Sequence, residues 1–274
     1  MAKVWFITGS SRGLGLAIAE RALESGASVI GTARDPGQLK HLTLKYGADK
    51  FLPVALDVAD NNEVINAVKA GHDKFGQINV VVNNAGYADT AAVEDVDLRD
   101  FRAQIDTNFF GTVHVSKAVL PILRQQGSGH IIQVSSVMGR LSYPGLSAYI
   151  SAKWAVTGFS TGLAKEVAPL GIKITVLEPG NMRTDWAGAS MKIPPISEPY
   201  EQTVGALAKG LKNIPGNQLS CPQKIASIVI ELSETEDAPL RLLVGSDAVE
   251  RAEKAAEALT VSDRHWRNTS LSSI

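Results

Sequence analysis

Tyr149 and Lys153 stand four residues apart in the segment SAYISAK, residues 147–153. On a helix, residues at i and i+4 project from one face, so the phenol and the ammonium would lie side by side. A phenol has an unperturbed pKa near ~10, and a neighbouring ammonium favours the phenolate and lowers that pKa. The spacing therefore predicts proton transfer by Tyr149, although two surface residues of an amphipathic helix would show the same spacing.

A glycine-rich segment, TGSSRGLG at residues 8–15, follows the first apolar run and precedes a helical pattern. Glycines let the backbone turn sharply and approach a ligand closely, and the free N–H groups of the following helix attract an anion. Glycine-rich turns also have purely structural uses, but this one lies between a strand and a helix, the setting of a dinucleotide pyrophosphate site. The predicted contacts are Gly9, Ser11, Arg12, Gly13, Leu14 and Gly15.

Arg34 follows the second apolar run and favours NADP(H), because a guanidinium binds the 2′-phosphate of that cofactor in bidentate fashion. Arg12 would supply a second guanidinium. Asp35 is an alternative carboxylate for the ribose of NAD(H), but it precedes Pro36 and a helical stretch, so a helix N-cap is its more economical role. NADP(H) is the preferred cofactor, and NAD(H) stays possible.

Two further segments fit the same cofactor. Asp57, followed by Val58, would accept a hydrogen bond from the adenine amino group, although a lone acid there fits a cap equally well. The segment NNAG follows the fourth apolar run, so its amides can tie strand ends together while its glycine lets the cofactor pass. The predicted contacts there are Asn84, Ala85 and Gly86.

Ser136 lies just beyond the apolar run HIIQVS, residues 130–135. Strand ends line the ligand crevice of an open α/β sheet. A hydroxyl at that place can donate a hydrogen bond to a substrate carbonyl while Tyr149 supplies a proton and a nicotinamide supplies a hydride.

Seven short apolar runs alternate with segments of helical periodicity, the pattern of repeated βαβ units. No linker breaks this alternation before residue 180, so residues 1–274 are read as one domain. Residues 181–220 contain four prolines and predict a substrate-binding loop or lid. The polar tail, about residues 259–274, is either disordered or places Trp266 against a neighbouring subunit.

Composition excludes several classes of function. The chain is 45% hydrophobic and 20% charged, with a formal net charge of −1, which gives no basic footprint for nucleic acid or an acidic membrane. One cysteine and five histidines without ligand spacing predict no metal site. With no apolar stretch near the ~18 residues of a membrane span, the expectation is a soluble cytoplasmic protein.

These motifs, with Asn108 in DTNFFG and the later PGNMRT, resemble the ordered motif set of the short-chain dehydrogenase/reductase family. The resemblance spans roughly residues 3–250 and is similar to the branch of 17β-hydroxysteroid and retinol dehydrogenases. It implies an α/β, single-domain Rossmann fold, with a doubly wound seven-stranded parallel sheet flanked by helices. It also implies a homodimer or homotetramer formed through the helical segments at about 100–126 and 148–168.

By the same resemblance the catalytic tetrad is Asn108, Ser136, Tyr149 and Lys153. Asn108 would help to hold a proton-relay water, and Tyr149 and Lys153 would also contact the cofactor, Lys153 at the nicotinamide ribose. The PGNMRT segment adds cofactor contacts at Pro179, Gly180, Met182 and Thr184, the last at the carboxamide.

The residues expected at the substrate are mostly apolar or aromatic, which favours a hydrophobic ketone or secondary alcohol; they are Met138, Tyr143, Leu146, Asn181 and Trp186. An NADP(H)-binding regulator without turnover is the alternative, and a scaffold would leave the glycine-rich segment unexplained. A serine hydrolase would need a G-x-S-x-G elbow around Ser136. A halohydrin dehalogenase would have arginine in place of Lys153.

Overall fold

The computed structural model describes residues 2–183, 191–212 and 220–273. Thr184 and Trp186, which were predicted to contact cofactor and substrate, lie outside the described residues. Within them, seven parallel strands form one sheet in the order β3-β2-β1-β4-β5-β6-β7. The strands are β1 (Val4–Ile7), β2 (Ser28–Ala33), β3 (Phe51–Ala55), β4 (Val80–Asn83), β5 (Gly129–Val134), β6 (Ile172–Pro179) and β7 (Arg241–Val244).

The strands form where the sequence has unbroken runs of β-branched and other apolar residues. Every residue of β1, β2 and β4 is buried, as expected for strands covered by helices on both faces. The strand order reverses between β1 and β4, and the carboxyl ends of strands at such a point open a ligand crevice. The predicted α/β, doubly wound Rossmann fold is confirmed.

The described residues form ten α-helices. They are α1 (Gly13–Glu24), α2 (Lys40–Tyr46), α3 (Asn61–Phe75), α4 (Leu98–Ile105), α5 (Gly111–Gln126), α6 (Ser147–Val167), α7 (Ala206–Lys212), α8 (Pro222–Glu234), α9 (Ser246–His265) and α10 (Arg267–Leu271). One apolar core joins α1 and α8 to one face, and a second joins α3, α5 and α6 to the other. A π-helical turn, Asp106–Phe110, connects α4 directly to α5.

Asp35 has the capping role that the sequence predicts. Its carboxylate accepts a hydrogen bond from the Gly37 backbone N–H at 2.9 Å, and Pro36 opens a short 3₁₀-helix, Pro36–Leu39. This arrangement satisfies a free amide at the helix start and commits the carboxylate to the cap.

The C-terminal segment is helical as far as Leu271, and the structure therefore does not show the disorder expected as one alternative for this segment. Its run of alanine, glutamate and lysine after Arg251 has high helix propensity, which favours the continuation of α9 beyond Ala252, its last buried residue. Trp266 is largely exposed and stacks edge-on against His265. No helix among the described residues is long and apolar enough to cross a membrane.

Candidate active site

The glycine-rich segment connects the end of β1 to the start of α1. Gly9 and Gly13 have φ values of 64° and 58°, a region that side chains other than glycine rarely adopt. A Cβ at Gly15 would lie 2.3 Å from the Gly9 carbonyl oxygen, so Gly15 permits the close packing of the helix on the loop. Arg12 occupies the N-cap of α1 and makes no side-chain cap hydrogen bond, which leaves the helix terminus suited to an anion.

Asn84 ties neighbouring strand ends together, as the sequence predicts. Its amide nitrogen donates to the carbonyls of Thr8 and Gly9 at 2.9 Å and 3.1 Å. The Thr8 hydroxyl accepts from the backbone N–H groups of Asn84 and Ala85. Thr8 was not among the predicted site residues, and its position at the end of a buried strand was the signal that could have identified it.

A cleft of about 680 Å³ lies along the carboxyl ends of the strands. This volume falls within the ~300–1,000 Å³ typical of small-molecule sites. Its walls include most of the predicted cofactor contacts: Gly9, Ser11, Arg12, Gly13, Leu14, Arg34, Asp57, Val58, Asn84, Ala85, Gly86, Tyr149, Lys153 and Met182. With a polar glycine cradle at a helix N-terminus, the cleft fits an elongated phosphate-bearing ligand.

Three predicted cofactor contacts lie away from these walls. Gly15 packs behind Gly9, Pro179 ends β6, and the Gly180 backbone N–H donates to Val244 at 2.9 Å. A Cβ at Gly180 would lie 2.3 Å from an oxygen of Asp247, whose other oxygen accepts from the Asn181 N–H at 3.0 Å. These residues position the segment that leads to Met182 rather than form the cleft surface.

Both predicted arginines belong to the cleft wall, which also includes the glycine-rich segment. Arg12 and Arg34 are both exposed. Asp35 caps Gly37 and is not among the residues of the cleft wall, whereas both guanidinium groups belong to it. A phosphate dianion matches their positive charge.

Tyr149 is a buried residue of the cleft wall, and its phenol shares a hydrogen bond with Ser136. Burial raises the pKa of Tyr149 from 10.0 to about 12, and the Ser136 hydrogen bond opposes that rise only in part. The expectation of a lowered phenol pKa was therefore wrong for this structure. Desolvation of the phenolate by the surrounding apolar residues is the physical reason.

Lys153 lies beneath Tyr149 on α6. Its ammonium is 5.5 Å from the centre of the Tyr149 ring and donates to the Val134 carbonyl at 2.8 Å. Burial lowers the pKa of Lys153 from 10.5 to about 8. The group thus remains mostly cationic at neutral pH.

Asn108 is buried in the π-helical turn, a distortion that recurs at functional sites. Its amide nitrogen donates to the carbonyls of Tyr87 and Gln104, and its oxygen accepts from the Tyr87 N–H at 3.0 Å. A Cβ at Gly86 would lie 2.3 Å from that oxygen and 3.7 Å from the Lys153 ammonium. Asn108 therefore fixes the backbone after β4 next to Lys153.

Three of the five predicted substrate residues belong to an apolar cluster around Tyr149. Met138 and Leu146 are buried in it, Tyr143 packs against it, and Ala248 and Ala252 of α9 complete it. The Arg251 guanidinium lies 5.9 Å from the centre of the Tyr143 ring. Asn181 is half-buried next to Asp247, outside this cluster.

The cleft wall includes polar residues that the sequence analysis missed, namely Tyr87, Asp89 and Lys192. Burial raises the pKa of Asp89, although its carboxylate accepts from the Lys192 backbone N–H at 2.9 Å. Tyr87 and Asp89 follow NNAG closely, which was an available signal. Lys192 arrives from the long insertion, and no spacing in the sequence relates it to Asp89.

Among the described residues, no group of three or more His, Cys, Asp or Glu side chains could hold a metal ion. His114, for example, is satisfied by the Val58 carbonyl at 3.1 Å.

Comparison with known proteins identifies the family. The sequence profile of the short chain dehydrogenases matches residues 3–192. The chain belongs to the short-chain dehydrogenase family. This short-chain dehydrogenase is 65% identical over 273 residues to the oxidoreductase BOA17 of Botryotinia fuckeliana (strain B05.10), with 100% of each chain covered.

Solved structures agree with that assignment. A short-chain dehydrogenase from Streptomyces avermitilis superposes with a TM-score of 0.91 at 35% identity, covering 98% of this chain and 97% of its own. An alcohol dehydrogenase from the archaeon Thermococcus sibiricus, complexed with 5-hydroxy-NADP, gives a TM-score of 0.73 at 26% identity, covering 89% and 96%. The expectation of an oxidoreductase of this family is confirmed.

Proposed function

We propose that this short-chain dehydrogenase is an NADP(H)-dependent oxidoreductase that interconverts a ketone or aldehyde and an alcohol, on a hydrophobic substrate. The observation that carries the proposal is the buried Tyr149 phenol, hydrogen-bonded to Ser136 and 5.5 Å from the Lys153 ammonium, in the wall of a cleft of dinucleotide size. Bound in that cleft, the nicotinamide supplies or accepts the hydride.

The residues of the chain handle the oxygen and the proton. In reduction, Ser136 donates a hydrogen bond to the carbonyl oxygen and Tyr149 gives its proton to the same oxygen as the alcohol forms. With a pKa of about 12, the phenol is protonated and ready to act as the acid at neutral pH. Lys153 places a positive charge under the ring, where it stabilises the phenolate left behind.

In the opposite direction Tyr149 must take up the proton of the alcohol, so it must first be ionised. Because burial raises the pKa of the phenol, alcohol oxidation should accelerate as the pH rises above neutrality. Carbonyl reduction should lack that requirement, so the two directions differ in their pH profiles.

NADP(H) is favoured by Arg12 and Arg34 at the cleft and by the commitment of Asp35 to its cap. A relative that shares 26% of its sequence with this chain is complexed with 5-hydroxy-NADP, which supports a nicotinamide dinucleotide in the same place. The adenine would lie near Asp57 and Val58, which line the cleft.

The apolar cluster around Met138, Leu146 and Tyr143 favours an alicyclic, steroid-like or aromatic substrate. A substrate panel on which small polar ketones outperform these classes would contradict it. The proposal further includes a cytoplasmic homodimer or homotetramer, one domain over residues 1–274, a lid at 181–220, and no nucleic-acid or membrane partner.

Fluorescence titration with NADPH and NADH, followed by turnover of a ketone panel, tests the proposal with Tyr149→Phe beside the wild type. We expect tighter binding of NADPH, and turnover that falls by at least ~10²-fold in Tyr149→Phe while NADPH binding persists. Arg34→Ala should weaken NADPH by about tenfold or more and leave NADH binding almost unchanged, since it removes a charge-assisted phosphate contact. Cofactor binding that is unchanged in Tyr149→Phe, without turnover of any ketone in the panel, would instead favour an NADP(H)-binding regulator.

A further inference from the structure

Ser136 opens a tight turn that ends at Arg140. The Ser136 hydroxyl accepts from the Met138 N–H at 3.1 Å, the Gly139 N–H donates to the Ser136 carbonyl at 2.8 Å, and the Arg140 N–H donates to the Val137 carbonyl at 2.9 Å. Residues 136–140, named here the Ser136 turn, therefore move as one unit. Its position sets where the Ser136 hydroxyl lies relative to Tyr149.

One side of the Ser136 turn is pressed against α6. A Cβ at Gly139 would lie 2.7 Å from the Thr157 hydroxyl and 3.2 Å from the Lys153 carbonyl. Ser135, just before the turn, donates to the same Lys153 carbonyl at 3.2 Å. The turn is thus in contact with the helix that carries Tyr149 and Lys153.

The other side of the turn is attached to β6 by a buried ion pair. Glu178 is fully buried, and one of its carboxylate oxygens accepts from Arg140 Nε at 2.7 Å and pairs with Arg140 Nη2 at 2.5 Å. The other oxygen accepts from Arg241 Nε at 3.1 Å and Nη2 at 2.5 Å. A buried carboxylate that keeps its charge needs such partners, so the two guanidinium groups hold it rigidly.

We propose that Arg140, held by Glu178, is a positioning residue that fixes the Ser136 turn and with it the hydrogen bond from Ser136 to the reacting oxygen. Its catalytic part rests on the proposed function of Ser136. Arg140 is not among the residues of the cleft wall, and the proposal assigns it an effect through the turn and not through contact with substrate or cofactor.

Arg241 provides a matched control. It bonds the same carboxylate through the same atoms, and its side chain is 32% exposed against 31% for Arg140. It differs in its backbone, because it opens β7 and does not belong to the Ser136 turn. Removing either guanidinium leaves Glu178 with one partner, so the two losses of stability should be similar.

The experiment compares Arg140→Met, Arg140→Lys and Arg241→Met with the wild type and with Ser136→Ala. Two quantities are measured: kcat and KM on the best ketone of the panel, and amide hydrogen exchange in the peptide that covers residues 135–141. We expect Arg140→Met to lower kcat by about tenfold or more, since small misplacements of a reacting group are that costly, with the Kd for NADPH unchanged. Arg241→Met should keep kcat within about twofold, and Arg140→Lys should recover part of the loss.

Amide hydrogen exchange tests whether Arg140 holds the Ser136 turn, and it needs no enzymatic turnover. Faster exchange at the Met138 and Gly139 amides in Arg140→Met, but not in Arg241→Met, supports the proposal. Equal exchange and equal kcat in the two methionine variants overturn it and leave Glu178 with a purely structural role. A wild type without turnover, or a Ser136→Ala variant as active as the wild type, contradicts the proposed function instead, while exchange still reports on the turn.

Discussion

His130 is a buried titratable residue on β5, outside the candidate site. Its Nε2 lies 2.9 Å from the Thr175 hydroxyl, and Nδ1 has no hydrogen-bond partner among the described residues. Burial, assisted by the charges of Lys173 and Lys3, lowers the pKa of His130 from 6.5 to about 4. The imidazole is therefore held neutral in the folded protein at pH values where the unfolded chain would protonate it.

This depressed pKa predicts how stability depends on pH. The unfolded chain binds the proton more tightly, so the contribution of His130 is fully present above pH 6.5 and is lost as the pH falls toward 4. At ~1.4 kcal/mol per pKa unit, the loss amounts to about 3 kcal/mol. His130→Gln should reduce the difference in the free energy of unfolding between pH 7 and pH 4, measured by urea denaturation.

The same substitution at His41, which is exposed, is the control and should leave that difference unchanged. A His130→Gln variant with the full pH dependence of the wild type would contradict the assignment.

This prediction could not be made from the sequence, because the burial of His130 depends on how the helices pack over β5. Tyr149 shows the same limit, since its spacing from Lys153 was readable but the burial that raises its pKa was not.

At the scale of elements, the π-helical turn packs against the segment after β4 where Gly86 lies next to Asn108. A Cβ at Gly86 would lie 2.3 Å from the Asn108 side-chain oxygen, which is itself bonded to the Tyr87 N–H. Gly86→Ala should therefore displace Asn108, cost about 1–3 kcal/mol of stability, and lower kcat. Thermal denaturation and steady-state kinetics measure the two effects.

Gly71→Ala is the control for Gly86→Ala, because it also adds a Cβ that would clash with a neighbouring side chain but lies outside the candidate site. Gly71 lies on α3, away from the cleft wall, and a Cβ at this position would lie 2.5 Å from Cδ1 of Ile30. We expect it to retain the turnover of the wild type per folded molecule. Equal losses of kcat in the two alanine variants would mean that Asn108 has no special part in the site.

The elements were readable from the sequence to the extent that local patterns define them. Seven apolar runs predicted seven strands, and the structure has seven, because a run of β-branched and other apolar residues is visible in the sequence itself. Glycine spacing likewise gave the loop before α1. The contacts of Glu178 with Arg140 and Arg241 could not be predicted from the sequence. The two arginines are separated from Glu178 by 38 and 63 positions, and only the order of strands in the sheet brings them together.

At the scale of the whole molecule, the outward face of α6 has the character of an association surface. Trp154 is 51% exposed on it, and Gly158 and Gly162 on the same face would leave an added Cβ without a neighbour within 4 Å. Phe110, at the adjoining start of α5, is also exposed. A flat surface with an aromatic residue suits close packing of two helices across a twofold axis, which supports the proposed homodimer or homotetramer.

Two exposed tryptophans distinguish this surface from the C-terminal segment. Trp154→Glu places a charge in the α6 face and should convert the proposed oligomer to a smaller species, because a buried unpaired charge opposes association. Trp266 is 57% exposed in the tail, so Trp266→Glu is matched in chemistry and exposure and should leave the assembly unchanged. Size-exclusion chromatography with light scattering measures both. Dissociation by Trp266→Glu alone would move the interface to α9 and α10, and since Ala248 and Ala252 of α9 pack against Tyr149, that interface would then adjoin the substrate cluster.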